Sequence, residues 1–343
     1  MDKRVVLAVA GSGKTKYIID NIEEDTRALI LTYTDNNLRN LKTRVLQKFG
    51  KIPEGLRIYS YYTFLYTFCF RPIIGHEIVA KGINWDTPPA ITLRLKRNNP
   101  KFYIDSHGRL YHNRIAKLLE TRGVLNELFE RLEKYFDYLF VDEIQDFGGH
   151  DINLIYSLVE TNINVLLVGD FYQHTFDTSR DGNVNSTLHN DYTVYKSRFK
   201  KAGYNIDSSL LSNSYRSGPI ICQFLSKELG IKIDSHRTDE TSIEFIDDKE
   251  RANRLFECCE TVKLFYQSSN QYSGLTENWG ASKGQDCYND VCIVLNSKTL
   301  EYYKNNSLRD LPSKTKNKLY VACTRAKGNL YLVPEKLYKY QKK

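Results

Sequence analysis

Short, nearly uninterrupted apolar runs alternate with amphipathic stretches along most of the chain. Residues 4–9 (RVVLAV) run into a glycine-rich loop and then into the helical pattern TKYIIDNIEE. RALILTYT predicts a second strand, and NLRNLKTRVLQKF a basic amphipathic helix. LRIYSYYTFLYTFCF begins as a strand and continues as an aromatic-rich helix, whereas DYLFVDEIQDF and INVLLVGD predict buried strands that end in carboxylates. A strand that is apolar on both faces needs cover on both, so the alternation predicts an α/β fold with parallel sheets. Ligands of such sheets bind at the carboxyl ends of the strands, where the polar clusters of this chain fall.

A second α/β unit opens at SLLSNSYRSGPIICQFLSKEL. It holds the strand patterns SIEFID and NDVCIVLN and the helix–turn–strand pattern KLYVACTRAKGNLYLVPE. Residues 75–128 differ in character, with paired prolines (Pro88, Pro89), many Lys and Arg, and the hairpin-like FYIDSHGRLYH. The expected layout is a first domain from 1–74 and 129–205, a small inserted subdomain at 75–128, and a second domain at 206–343 without a large insertion.

Composition narrows the class. With 343 residues, 41% of them apolar, the chain has material for two cores. A net charge of +8 suits a polyanionic partner without establishing one. No apolar run approaches the roughly 18 residues of a membrane span, and no small-residue cleavage site follows the N-terminal apolar stretch. The seven cysteines form no Cys-x-x-Cys pair, which predicts reduced thiols in a cytoplasmic protein, not a disulfide frame or a zinc site.

Two motifs carry chemistry. Ala8-Val9-Ala10-Gly11-Ser12-Gly13-Lys14-Thr15, set between a strand and a helix, fits a phosphate loop with Ala in place of the first Gly. Gly11 and Gly13 let the backbone turn its N–H groups, those of Ala10 and Ser12 among them, toward phosphate, and the helix N-terminus adds positive potential. Lys14 would reach the β- and γ-phosphates of ATP, and Thr15 would hold Mg2+. The second motif, Asp142-Glu143-Ile144-Gln145-Asp146, follows the apolar YLFV. Asp142 would bind Mg2+ through water, and Glu143 would act as the general base toward the attacking water. Together these motifs predict ATP hydrolysis.

The remaining motifs resemble those of the UvrD/Rep-type superfamily 1 helicases, in that family's order and over most of the chain. Beside AGSGKT and VDEIQD stand LTYTDNN, Gly169-Asp170-Phe171-Tyr172-Gln173, the segment Leu211–Ser217, the segment Ser282–Asp286 and the segment Tyr320–Ala326. The resemblance implies two RecA-like domains with ATP bound between them. It implies Gln173 as a γ-phosphate sensor, Arg216 and Arg325 as arginine fingers, Tyr215 stacked on adenine, Gly284 in the nucleotide-binding SKGQD motif, and Asp286 near the ribose. It also implies a single-stranded DNA partner met by Thr32, Tyr33 and Thr34, with Ser60, Thr63 and Phe64 as further candidates. The aromatic stretch around Phe64 reads equally as core packing. Arg94, Lys96, Arg97 and Lys101 read as phosphate contacts or as a solvated basic face.

The sequence departs from that family's pattern at four points. The loop opens at residue 8, so an upstream adenine-reading glutamine has no counterpart, leaving looser base selection or Tyr215 alone. No tryptophan follows GDxxQ; Tyr172 and Phe176 are the substitutes at hand. About 67 residues separate Arg216 from Lys283, too few for a large second insertion. The first insertion is small as well. ATP-driven translocation is therefore the safer expectation than processive unwinding. A competing reading is a nucleotide-gated DNA-binding subunit that regulates a partner nuclease, such as an OLD-family nuclease in antiphage defence. A P-loop kinase would leave the second-domain motifs unexplained.

Overall fold

The computed structural model describes residues 1–175 and 181–342. Phe176 lies outside the described residues. The chain divides into two compact units. One contains Met1–Val6, Thr15–Gly169 and Asp177–Asp207; the other contains Leu7–Lys14, Asp170–Phe176 and Ser208–Lys343.

The first unit is built on a six-stranded sheet. Its strands, in chain order, are β1 (Lys3–Leu7), β2 (Ala28–Thr32) and β3 (Leu56–Ser60), then the short β4 (Ile83–Asn84) and β5 (Leu110–Tyr111) outside the sheet, then β6 (Tyr138–Val141), β7 (Asn164–Gly169) and β8 (Asn205–Asp207). The sheet order is β3-β2-β6-β7-β1-β8. β2 pairs parallel with both β3 and β6, β6 with β7, and β1 with β8. All five residues of β2 (ALILT) are buried, as an apolar strand covered on both faces must be.

Two local features position side chains. The Asp35–Phe49 helix is capped by Thr34, whose hydroxyl accepts from Asn37 N–H, and ends at Gly50 in the left-handed region. The aromatic stretch is helical from Tyr61, capped by the Ser60 hydroxyl, but Phe64–Phe70 form a π-helix, a wider winding that often marks functional segments.

β4 and β5 pair parallel, and an antiparallel bridge between Ile104 and Leu110 closes the turn that the hairpin pattern predicts. This segment is pinned by charge. Arg114, 1% exposed, lies 3.9 Å from the Phe102 ring centroid. Its guanidinium meets Asp181 at 3.0 Å, and Lys117 meets the same carboxylate at 2.8 Å.

The second unit holds the short parallel pair β9 (Asn213–Ser214) and β10 (Asp234–Ser235) and a five-stranded sheet. The sheet strands are β11 (Ile243–Phe245), β12 (Val262–Phe265), β13 (Thr276–Asn278), β14 (Val291–Leu295) and β15 (Leu330–Pro334). They are ordered β11-β15-β14-β12-β13, every pairing parallel. Trp279 is fully buried in this core and donates its indole N–H to Leu264 O at 2.8 Å. The sequence patterns anticipate β11, β14, β15 and the Ser313–Cys323 helix. They do not anticipate β12, β13 or the Tyr192–Ala202 helix.

Candidate functional site

In the first unit, β6 delivers its carboxylates to the carboxyl edge of the sheet. Asp142 is 2% exposed, and its N–H donates to Leu31 O at 2.8 Å. One carboxylate oxygen accepts from Glu143 N–H at 3.0 Å; the other accepts from the Thr15 hydroxyl at 3.4 Å. Thr15 and Asp142, the expected magnesium ligands, are thus neighbours. Glu143 adopts the left-handed conformation (φ 57°, ψ 47°), a conformation that costs a non-glycine residue about 1–2 kcal/mol. Its side chain is half-buried and accepts from the Gln145 amide. The turn leaves no space at Gly169, where a Cβ would sit 2.6 Å from the Ile144 side chain and against the Gln145 side-chain oxygen Oε1.

In the second unit, the phosphate loop packs on the segment that carries Tyr215 and Arg216. Gly11 (φ +72°) and Gly13 (φ +87°) both need the conformation that glycine alone adopts cheaply. Gly11 O accepts from Tyr215 N–H at 2.9 Å, and Val9 N–H donates to Leu211 O at 3.0 Å. A Cβ on Gly11 would stand 2.7 Å from both the Arg216 Cβ and the Ser214 hydroxyl. The Ser12 hydroxyl donates to Val9 O at 2.8 Å, and Lys14 is 8% exposed.

A buried tyrosine ties three motifs together. The Tyr320 hydroxyl donates to Asp170 at 3.0 Å and accepts from Ala10 N–H at 2.9 Å. Burial, reinforced by the Asp170 carboxylate, raises the Tyr320 pKa far above the usual range, so the hydroxyl keeps its proton. Asp170 also accepts from the Gln173 amide at 2.9 Å and from Tyr172 N–H at 3.1 Å. Gln173, the expected phosphate sensor, therefore has its amide on Asp170 in this structure.

The two expected arginine fingers meet on one carboxylate. Asp286 Oδ1 lies 2.6 Å from Arg216 Nη2 and 3.3 Å from Arg325 Nη1. Arg325 is 1% exposed and also donates to Val321 O and Gln285 O. Asp286 thus pairs with arginines here, where the resemblance implies a place near the ribose. Gly284 (φ +81°) lies in open space. Tyr215 is 63% exposed and stacks on His236 with ring centroids 4.0 Å apart at 16°.

The expected nucleic-acid residues divide into three kinds. Thr32 and Phe64 are fully buried, and Phe64 stacks on Phe68 within the core, so packing encloses both and a base has no access to them here. Thr34 and Ser60 are helix caps, with Thr63 exposed beside Ser60. Tyr33 is half-buried, its ring packed on Tyr61, Tyr62 and Phe147 and its hydroxyl hydrogen-bonded to that of Tyr62. Asp170, Tyr320 and His236 escape the sequence reading as individual residues. The first two stand inside recognised motifs; His236 stands in none.

Among the described residues, no helix is long and apolar enough to cross a membrane. No curated protein matches the chain. In solved structures, an arterivirus nonstructural protein 10, a helicase, is 13% identical over 98% of this chain and 61% of its own, with a TM-score of 0.51. The helicase of PRRSV is 13% identical over 96% of this chain and 52% of its own, with a TM-score of 0.50. At that identity the likeness concerns the fold, and the chain spans between half and two thirds of either protein. Residues 110–333 match the family described as the viral superfamily 1 RNA helicase core domain. That match covers well over half of the sequence, and the chain belongs to this superfamily 1 helicase core family.

Proposed function

We propose that this protein hydrolyses ATP and couples the turnover to movement along single-stranded nucleic acid. The observation that carries the reading is the packing of the phosphate loop on the Arg216 segment. Gly11 has no room for a side chain because Arg216 stands there, and Asp286 joins that arginine to Arg325. An arginine whose backbone and Cβ are anchored against the phosphate loop can extend its guanidinium to the charge that develops on a transferring phosphoryl group.

The chain's own residues divide the work. With the Ala10 N–H held by the Tyr320 hydroxyl, the later N–H groups of the turn, through Thr15, and the Lys14 ammonium bind phosphate oxygens, and Tyr215 offers its exposed ring to adenine. Glu143 orients and deprotonates the attacking water, with Gln145 fixing its carboxylate. Gln173 and the two arginines sense the γ-phosphate. The hydroxyl of Thr15 and the carboxylate of Asp142, 3.4 Å apart, form an oxygen-only pair suited to a hard cation, and they would hold Mg2+. That ion would neutralise charge on the phosphates.

The UvrD/Rep-like motif order favours DNA as the track; the family match, to a group named for RNA helicases, favours RNA. Phosphate release should be measured with no strand, with oligo(dT) and with oligo(U), followed by streptavidin displacement from strands biotinylated at either end. The proposal expects at least tenfold stimulation by one strand type and displacement from one end only. Equal rates in all three conditions would contradict it.

A further inference from the structure

Trp85 is exposed yet held in place. The residue is 60% exposed, and its ring stacks on His112 with centroids 5.6 Å apart at 30°. The Tyr62 ring stands perpendicular to it, with centroids 4.8 Å apart at 86°. Tyr62 is buried, packs against Tyr33 at 5.4 Å and shares a hydroxyl hydrogen bond with it. Four rings therefore run in an unbroken series from the end of β2 to the β4–β5 segment, all within the first unit. Burial lowers the His112 pKa against the opposing pull of the Asn84 carbonyl, so near neutral pH it backs Trp85 as an uncharged ring.

An exposed aromatic is ordinary. One buttressed by two rings and still 60% exposed is pre-organised for a flat ligand. The segment that carries it is cationic. Residues 81–114 contain seven Lys or Arg against two Asp, with Lys81, Arg94, Lys96, Arg97 and Lys101 exposed. Of the two acids, Asp105 is already paired with Arg109 at 2.8 Å. A ring platform on a segment rich in exposed cations suits alternating bases and phosphates. The exposed aliphatic residues Val79, Ile91 and Leu93 would suit a protein partner instead, an occupant the test below separates.

We infer that Trp85, backed by His112 and Tyr62, is a stacking platform for an unpaired base of a single strand, at the outer end of the ring series that starts from Tyr33. The inference rests on the proposed binding of single-stranded nucleic acid. It assigns the β4–β5 segment a base contact that the sequence motifs do not.

The test is an anisotropy titration of the full chain with labelled oligo(dT) and oligo(U), using the native protein, Trp85→Ala and Trp85→Phe. A lost base stack weakens binding about fivefold or more. Trp85→Ala should show that loss, Trp85→Phe should stay within about twofold, and a fully abasic strand should bind native protein and Trp85→Ala alike. Because Trp279 is buried, quenching of tryptophan fluorescence by the strand should be seen in the native protein and vanish in Trp85→Ala. If the native protein binds strands and Trp85→Ala binds them equally well, the platform is refuted and the proposed function stands. Equal weakening toward the abasic strand also refutes it. If the native protein binds no strand at all, the proposed function fails and the platform with it.

Discussion

Asp286 Oδ1 lies 2.6 Å from Arg216 Nη2, and the same oxygen is shared with Arg325. One carboxylate thus cancels the repulsion between two guanidinium groups and fixes their separation. Asp286 is itself about half exposed, so its worth to stability is small, at most about 1 kcal/mol. Its consequence is positional. Asp286→Ala should lower the kcat of ATP turnover about tenfold, with Asp286→Glu retaining most of it and both variants melting near the native temperature. A native kcat in Asp286→Ala, read by phosphate release, would remove Asp286 from the account.

Gly11 and Gly284 share the left-handed backbone but not the surroundings. Alanine at Gly284 meets open space, so only the backbone penalty of about 1–2 kcal/mol applies. Alanine at Gly11 adds a collision with Arg216 and Ser214, about 1–3 kcal/mol more for overpacking. Calorimetric titration with a non-hydrolysable ATP analogue should show Gly11→Ala losing nucleotide binding and Gly284→Ala keeping it. The reverse order would contradict the packing argument.

Tyr320→Phe deletes one oxygen that serves two buried partners, Ala10 N–H and Asp170. Leaving a buried polar group unsatisfied costs about 1–3 kcal/mol. The variant should melt earlier by that measure and bind nucleotide more weakly, because the loop loses an anchor. An unchanged melting curve would show that the hydroxyl carries little.

Asp181 supplies a pH signature. Burial alone would raise its pKa, but hydrogen bonds from Lys117 and Arg114 and their positive charges prevail and hold it below the usual carboxylate value. A depressed folded-state pKa means stabilisation that is full above the unfolded value near 3.8 and disappears as pH falls through the folded one. Asp181→Asn should therefore cost about 3–5 kcal/mol at pH 7, the penalty of stranding a buried cation, and progressively less below pH 4. Melting curves across pH 7 to 3 that run parallel for native and variant protein would rule this out.

Legibility followed the physics of each segment. β2, β6 and β7 read directly as apolar runs ending in polar residues, because buried parallel strands tolerate little else. The phosphate loop read from spacing, because Gly11 and Gly13 stand where a backbone must turn. β12 and β13 did not read. VKLF is short and includes Lys263, which is buried with its ammonium on the Cys258 and Thr261 carbonyls, and a charged residue masks an apolar pattern. Phe64 showed the opposite difficulty: aromatic spacing cannot distinguish a ring facing solvent from one stacked on Phe68. The Trp85 series was invisible because Trp85 lies 23 residues from Tyr62, 52 from Tyr33 and 27 from His112 in the chain, and the β4–β5 pairing and the turn around it bring these rings together.

The most direct test is phosphate release, in the presence of a saturating single strand, by the native chain and by Glu143→Gln. The substitution keeps the shape of the side chain and removes its basicity. The account predicts that nucleotide still binds with native affinity while turnover drops at least a hundredfold. Turnover by Glu143→Gln at the native rate would show that the carboxylate at the end of β6 does not activate water, and the proposed chemistry would fall with it.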